Sequence, residues 1–320
     1  MGILKGKVAV VAGATRGAGR GIAVALGEAG AIVYCTGRSV KGKKYARSRK
    51  DWSAFDPAKR PETIDETAQM VSAHRGTGIA VQTDHTDEQQ VKKLVGRIKR
   101  ERGGIDILIN DVWGGDVLTE WGKPFWKLDL KKGFAMIERA VFSHMITCRY
   151  AVPLMLGRGK GLIVEITDGD TAAYRGTFFY DFVKSAVIRN AFAMSEELRP
   201  HNITSVAVTP GFLRSEAMLE YFGVTEENWR DGGKKDPNFL ASETPMFVGR
   251  GIAALAANPD HFKNTGKVLS SWRLGQEYAI QDRDSRRPDW GTFFANSAEN
   301  QSIRENHQRS HRAFLESFAP

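Results

Sequence analysis

Tyr180 and Lys184 stand four residues apart in a stretch, 178–199, whose pattern predicts a helix. Four residues are about one helical turn, so the phenol and the ammonium share a face. A cation beside a phenol favours phenolate, and bringing a phenol from about 10 down to about 7 takes about 4 kcal/mol of differential interaction. Far upstream, Gly13, Gly17 and Gly19 follow one apolar run and open a helix-like one. Glycines in that place permit a tight turn and let backbone N–H groups at a helix N-terminus approach a pyrophosphate. Thr167 ends another apolar run shortly before Tyr180 and offers a hydroxyl to the same substrate oxygen. Together these groups imply exchange of a proton and a hydride at one oxygen-bearing carbon.

The end of the second apolar run bears on which dinucleotide fits. A ribose 2′-hydroxyl is usually met there by Asp or Glu. This chain reads Thr36-Gly37-Arg38 instead, and Arg16 sits inside the glycine turn. Two guanidinium groups suit a 2′-phosphate, so the expected cofactor is NADP(H).

The elements that must position these groups alternate. Short apolar runs at 7–12, 31–36, 79–83, 105–110, 161–167 and 203–209 read as buried strands. Helical patterns fall at 19–29, 62–74, 87–102, 130–156, 178–199 and 245–257. The expectation is an α/β fold: a Rossmann-type doubly wound parallel sheet with helices on both faces. Ligands then bind at the carboxyl ends of the strands. One domain is expected over 1–272, with insertions at 38–61 and 111–129, a substrate lid at 211–246 and a C-terminal extension at 273–320. The extension is polar and is expected to wrap the domain or a neighbouring subunit.

The 320 residues carry 42% hydrophobic and 26% charged side chains, ordinary for a water-soluble globular chain. No apolar run approaches the roughly 20 residues that span a bilayer. Cys35 and Cys148 lie far apart in apolar settings, which predicts free thiols and a cytoplasmic location. The net charge of +9 permits nucleic-acid binding, but no recognition motif accompanies it, and no such partner is expected. The densest basic run is Lys41, Lys43, Lys44, Arg47, Arg49 and Lys50, either a solvated loop or one facing a phosphorylated cofactor. The 7 His are scattered, so no metal is expected; His307 and His311 read as a solvated helix face. No G-x-S-x-G elbow is present, which removes the common serine-hydrolase reading.

Several motifs in order give the chain a family likeness. Gly13-Ala14-Thr15-Arg16-Gly17-Ala18-Gly19, Asp84, Asn110, Tyr180 with Lys184, and Pro210-Gly211-Phe212-Leu213-Arg214-Ser215 together resemble a short-chain dehydrogenase/reductase. The loop after Asn110, the Gly161–Val164 run and the Thr265–Leu269 run are most similar to the dehydrogenase/reductase member 1 subgroup. The resemblance implies Tyr180, Lys184 and Thr167 as catalytic residues. It implies cofactor contacts from Gly13, Thr15, Arg16, Gly17, Gly19, Arg38, Asp84, Asn110, Lys184, Pro210, Gly211 and Ser215. It also implies a homodimer or homotetramer built from the two long helices.

The departures are as informative. Asp111-Val112-Trp113 replaces N-A-G, Thr167 replaces Ser, and Asp168 adds a carboxylate able to bond Thr167 or the substrate. Ala140 falls where the family has a helix Asn that relays protons; His144 lies one turn on and reads as a core histidine. Aromatics crowd the long loops: Trp113, Trp121, Phe125, Trp126, Phe178, Phe179, Phe212, Tyr221, Phe222 and Trp229. About half are expected in the core. The rest, Trp113 and Phe212 foremost, favour a lipophilic carbonyl substrate. The expected activity is NADPH-dependent reduction of such a ketone or aldehyde, with Tyr180 as acid. The alternative is a catalytically weakened NADP(H)-binding scaffold or regulatory module.

Overall fold

The computed structural model describes residues 2–42, 54–56 and 60–318. Its centre is a sheet of seven parallel strands in the order β3-β2-β1-β4-β5-β6-β7. These are β1 (Val8–Ala12), β2 (Ile32–Gly37), β3 (Thr77–Gln82), β4 (Ile107–Asn110), β5 (Gly161–Ile166), β6 (Ile203–Thr209) and β7 (Val268–Ser270). Every residue of β1, β4, β5 and β6 is buried, which is why these runs are apolar without alternation. The order reverses between β1 and β4, and a crevice opens there at the carboxyl ends.

Helices cover both faces. On one lie α1 (Gly17–Glu28), α2 (Ile64–Ala73) and α8 (Pro245–Ala257), packed with β1 and β2 in the largest apolar cluster. On the other lie α3 (Glu88–Arg102), α5 (Ser143–Leu156) and α6 (Phe178–Leu198). Local chemistry sets the helix ends. Thr63 accepts from the Glu66 amide, Asp87 accepts from the amides of Gln89 and Gln90, and Gly103 stops α3 at φ 76°.

The expected single helix over 130–156 is instead α4 (Leu130–Ile137), a π-turn (Glu138–Phe142) and α5. Ala140 lies buried in that wider turn. A π-turn inserts one extra residue and often sits at a functional site.

The lid segment forms α7 (Glu216–Phe222) and two short 3₁₀ turns around Phe222, Trp229 and Phe239. The extension is more than a polar tail. It forms α9 (Ser271–Glu277), α10 (Trp290–Asn296) and α11 (Gln301–Glu316), and these return to the carboxyl ends of the strands. Trp290 packs edge-on against Phe212, Asn300 donates to Asn238, and the amides of Ala172 and Tyr174 donate to His311 Nδ1 and Ser310 Oγ. The His307 ring lies tilted against Phe294, centroids 5.7 Å apart. The two histidines therefore face the loop after β5, not open solvent, because α11 lies across it. Among the described residues no helix is long and apolar enough to cross a membrane.

Candidate active site

The crevice is a cleft of about 500 Å³. The glycine turn forms one wall. Gly13 has φ +92°, and a Cβ there would lie 2.4 Å from the Asp111 carbonyl oxygen. A Cβ on Gly19 would lie 2.3 Å from the Gly13 oxygen, so the start of α1 packs against the turn after β1 only because Gly19 lacks a side chain. The Gly17 amide donates to Glu216 Oε2 at 2.8 Å. The α1 N-terminus thus already takes an anion, a carboxylate of the lid.

Thr15, Arg16, Gly17, Arg38 and Asp84 line the cleft at the end of β2 and β3. Arg38 reaches Asp84 at 3.7 Å and is otherwise exposed. Arg16 Nε donates to Glu62 at 3.2 Å, while its Nη2 is buried with no hydrogen-bond partner. Two further guanidiniums, missed in the sequence, line the same end. Arg60 pairs with Glu62 and Glu220. Arg139 donates to the Gly114 carbonyl at 2.8 Å; burial and the neighbouring Arg38 lower its pKa. No spacing signal marks either, since Arg139 comes from the π-turn and Arg60 from the insertion. Ala54 and Phe55 of that insertion also line the cleft. Lys43, Lys44, Arg47, Arg49 and Lys50 lie outside the described residues.

The donor set fits a dinucleotide. It offers a glycine cradle, a helix N-terminus that takes anions, and a buried guanidinium nitrogen lacking an acceptor. Asn110 differs from expectation. Its side chain is buried and turned from the cleft; Nδ2 donates to Glu165 Oε1 at 2.6 Å, and Oδ1 has no partner. Asp111 faces the cleft instead, and burial pushes its carboxyl up to about 7 against the pull of Lys184.

Thr167, Tyr180, Lys184, Pro210, Gly211, Phe212 and Ser215 line the other half of the cleft. The Tyr180–Lys184 pair does share a face, with the ammonium 5.6 Å from the phenol ring centroid. The electrostatics run opposite to expectation. Tyr180 is pushed well above the usual phenol value by burial and by Asp168, whose Oδ2 accepts from the hydroxyl at 2.9 Å. Burial likewise lowers Lys184 against the opposing charge of Asp168. The ammonium lies 4.1 Å over the Trp113 ring, a cation–π contact, and Trp113 meets Tyr180 edge-on. Asp168 thus bonds neither Thr167 nor open cleft but the phenol itself. Thr167 donates to the Lys184 backbone oxygen at 2.9 Å, so here its hydroxyl ties α6 to the end of β5.

His144 is a core histidine, but a polar one. Nδ1 lies 2.6 Å from Glu165 and Nε2 lies 3.1 Å from the Val112 carbonyl, so neither nitrogen is free for Lys184. Of the loop aromatics, Trp113 and Phe212 line the cleft. Phe179, Phe222 and Trp229 are core, and Trp121, Phe125, Trp126, Phe178 and Tyr221 are exposed at its outside.

Residues 42–222 match the family model for short chain dehydrogenase. The chain is 32% identical to the mouse protein "Dehydrogenase/reductase SDR family member 1" over 288 residues, covering 88% of this chain and 85% of that one. This chain belongs to the short-chain dehydrogenase/reductase family. Within that family it also matches the 7alpha-hydroxysteroid dehydrogenase of Clostridium sardiniense, at 28% identity over 68% of this chain and 74% of that protein. A short chain dehydrogenase from Mycobacterium thermoresistibile shares the fold, with a TM-score of 0.70 at 22% identity over 90% of this chain and 92% of that one. As a member of the family this dehydrogenase/reductase is an NAD(P)(H)-dependent oxidoreductase of small molecules. The matched span begins after the glycine turn, so the geometry of residues 13–19 is a separate observation from the match.

Proposed function

We propose that this chain is an NADPH-dependent reductase of a lipophilic ketone or aldehyde. The observation that carries the reading is the convergence of Thr167, Tyr180 and Lys184 on the cleft that the glycine turn opens. The bound dinucleotide supplies the hydride. Tyr180 holds a proton at Oη next to the substrate oxygen and gives it up as that oxygen becomes an alkoxide. Lys184 carries positive charge in this half of the cleft and would hold the ribose of a bound nicotinamide nucleotide. Thr167 positions Lys184 through the backbone. Trp113 and Phe212 offer apolar walls to the substrate, and a relative that acts on a hydroxysteroid agrees with that class. A panel of aryl and steroid ketones against small keto acids tests the class; preference for the keto acids would overturn it.

NADPH preference rests on Arg16, Arg38, Arg60 and Arg139 lining one end of the cleft. Arg38 is the least committed of them. Losing one charge-assisted contact costs about 1.5–3 kcal/mol. Arg38→Ala should therefore weaken NADPH binding by about 10- to 100-fold and leave NADH binding nearly unchanged. Fluorescence titration with both dinucleotides measures this, and equal loss for both would remove the arginine from 2′-phosphate recognition.

The protein pairs with copies of itself through α4–α5 and α6. Phe134, Phe142 and Met145 are exposed on the first, and Phe178, Phe182 and Phe192 on the second. So many large apolar side chains exposed on these helices are expensive to leave in water. Phe182→Glu should lower the solution mass measured by sedimentation, while an unchanged mass would place the contact elsewhere. Both cysteines are buried free thiols, which agrees with a reducing, cytoplasmic compartment.

A further inference from the structure

Asp168 belongs to two cavities at once. It lines the cleft, and it lines a second chamber of about 660 Å³ on the far side of the Pro210–Phe212 turn. The extension supplies part of its wall, with Trp290 of α10 and His307 of α11. Asp168 itself is exposed, whereas the phenol it bonds is half-buried. The carboxylate therefore joins the Tyr180 hydroxyl to water.

The usual exit for a proton is missing. Ala140 has no polar atom in its side chain, and both nitrogens of His144 are engaged by Glu165 and Val112. Resting on the reductase reading above, we propose that Asp168 is a catalytic residue. It is the terminal proton donor and acceptor for Tyr180, exchanging with water through the chamber that the C-terminal helices complete.

The step balances in both directions. In reduction the carbonyl carbon gains a hydride from the reduced nicotinamide, and the C=O π pair moves to oxygen. The Tyr180 proton passes to that oxygen as the Asp168 carboxylic acid passes its own proton to the phenol. Asp168 is left as carboxylate and regains a proton from water in the chamber. In oxidation the alcohol proton passes to Tyr180, the Tyr180 proton passes to the Asp168 carboxylate, and hydride leaves carbon for the oxidised nicotinamide. The observed hydrogen bond, phenol donating to carboxylate, is the starting point of this second direction. Tyr180 never has to persist as phenolate, the form that its burial disfavours.

Charged groups face Asp168 from both sides. Lys184 of α6 and Asp116 of the loop before α4 face the pair from the cleft. Arg175 donates from its Nε to the Asp168 backbone oxygen at 2.6 Å, and His307 of α11 faces Asp168 and Arg175 across the chamber. Asp170, Arg273 and Asp289 lie further along the chamber wall.

The test uses the full chain reducing phenanthrenequinone with NADPH. Asp168→Asn keeps an oxygen to accept from Tyr180 but cannot carry a proton. It should lower kcat by at least about 100-fold, with NADPH binding and melting temperature unchanged. Asp168→Ala should regain turnover in proportion to added formate, a small acid that can enter the chamber. Wild-type kcat in Asp168→Asn would overturn the relay. So would a loss in Asp168→Ala that formate leaves untouched, since Asp168 would then only position the phenol. Full activity in Tyr180→Phe, or no turnover by wild type, would overturn the reductase reading itself.

Discussion

Tyr180→Phe should lose about 10²- to 10⁴-fold in turnover, the usual contribution of a positioned proton donor. The change removes one oxygen and keeps the ring that Trp113 and Trp121 pack against at 5.6 and 5.2 Å. Dinucleotide affinity should hold within about threefold, because glycine turn, arginines and Lys184 are untouched. Steady-state kinetics paired with a binding titration separates the two. The variant also unburdens Asp168, which loses its hydrogen-bond donor. If turnover survives with its pH profile intact, the phenol is not the proton donor. Loss of binding in step with turnover would instead mean that Tyr180 shapes the cleft.

The second large effect concerns Glu243, which is 1% exposed. Its Oε2 accepts from the Gly211 amide at 3.1 Å and from Ser271 Oγ at 2.6 Å, while Oε1 has no partner. Burial pushes its carboxyl from 4.5 up to about 8 against the hydrogen bonds of Ser271 and Gly211. The folded chain therefore keeps a proton that the unfolded chain releases. Between those two values the unfolded state binds fewer protons, so stability falls as pH rises and the loss is complete above the folded value. The size is on the order of 4 kcal/mol for a shift of this extent at a fully buried group. Glu243→Gln carries no such proton. Denaturant midpoints at pH 5.5 and 8.5 should fall steeply for wild type and much less for the variant, with Asp111 supplying the remaining slope. Equal falls in both would show that Glu243 does not titrate in this window. Because Glu243 holds the amide of Gly211, which lines the cleft, the same change is expected to alter the Pro210–Phe212 turn that separates the two cavities.

These sites differ in how far they could be read from the chain. The strands at 203–209 and the helix at 245–257 coincide with β6 and α8, and the other runs fall within a few residues of their elements, except 130–156, which the π-turn divides. Burial on both sheet faces demands continuous apolar runs, and a parallel sheet demands a helix between them, so the pattern along the chain carries the topology. The glycine turn and the Tyr180–Lys184 pair were legible for the same reason. Each is fixed by spacing inside one element or at its edge.

The pairings across elements were not. Tyr180 was expected to be acidified by Lys184 one turn away, yet Asp168 from the end of β5 lies nearer its hydroxyl and acts the other way. Asn110 was expected in the cleft, but Glu165 on the adjacent strand takes it inward. His307 and His311 looked solvated until α11 was seen to lie over the loop after β5. The amino-acid order alone determined six of the seven strands, most of the helices between them and the glycine turn, because periodicity and glycine placement act over a few residues. Only the tertiary structure decided which carboxylate meets the phenol, which arginines meet the cleft and what lines the second chamber. Those contacts depend on strand register and on chain segments far apart in sequence, and no local pattern encodes the distance between their side chains.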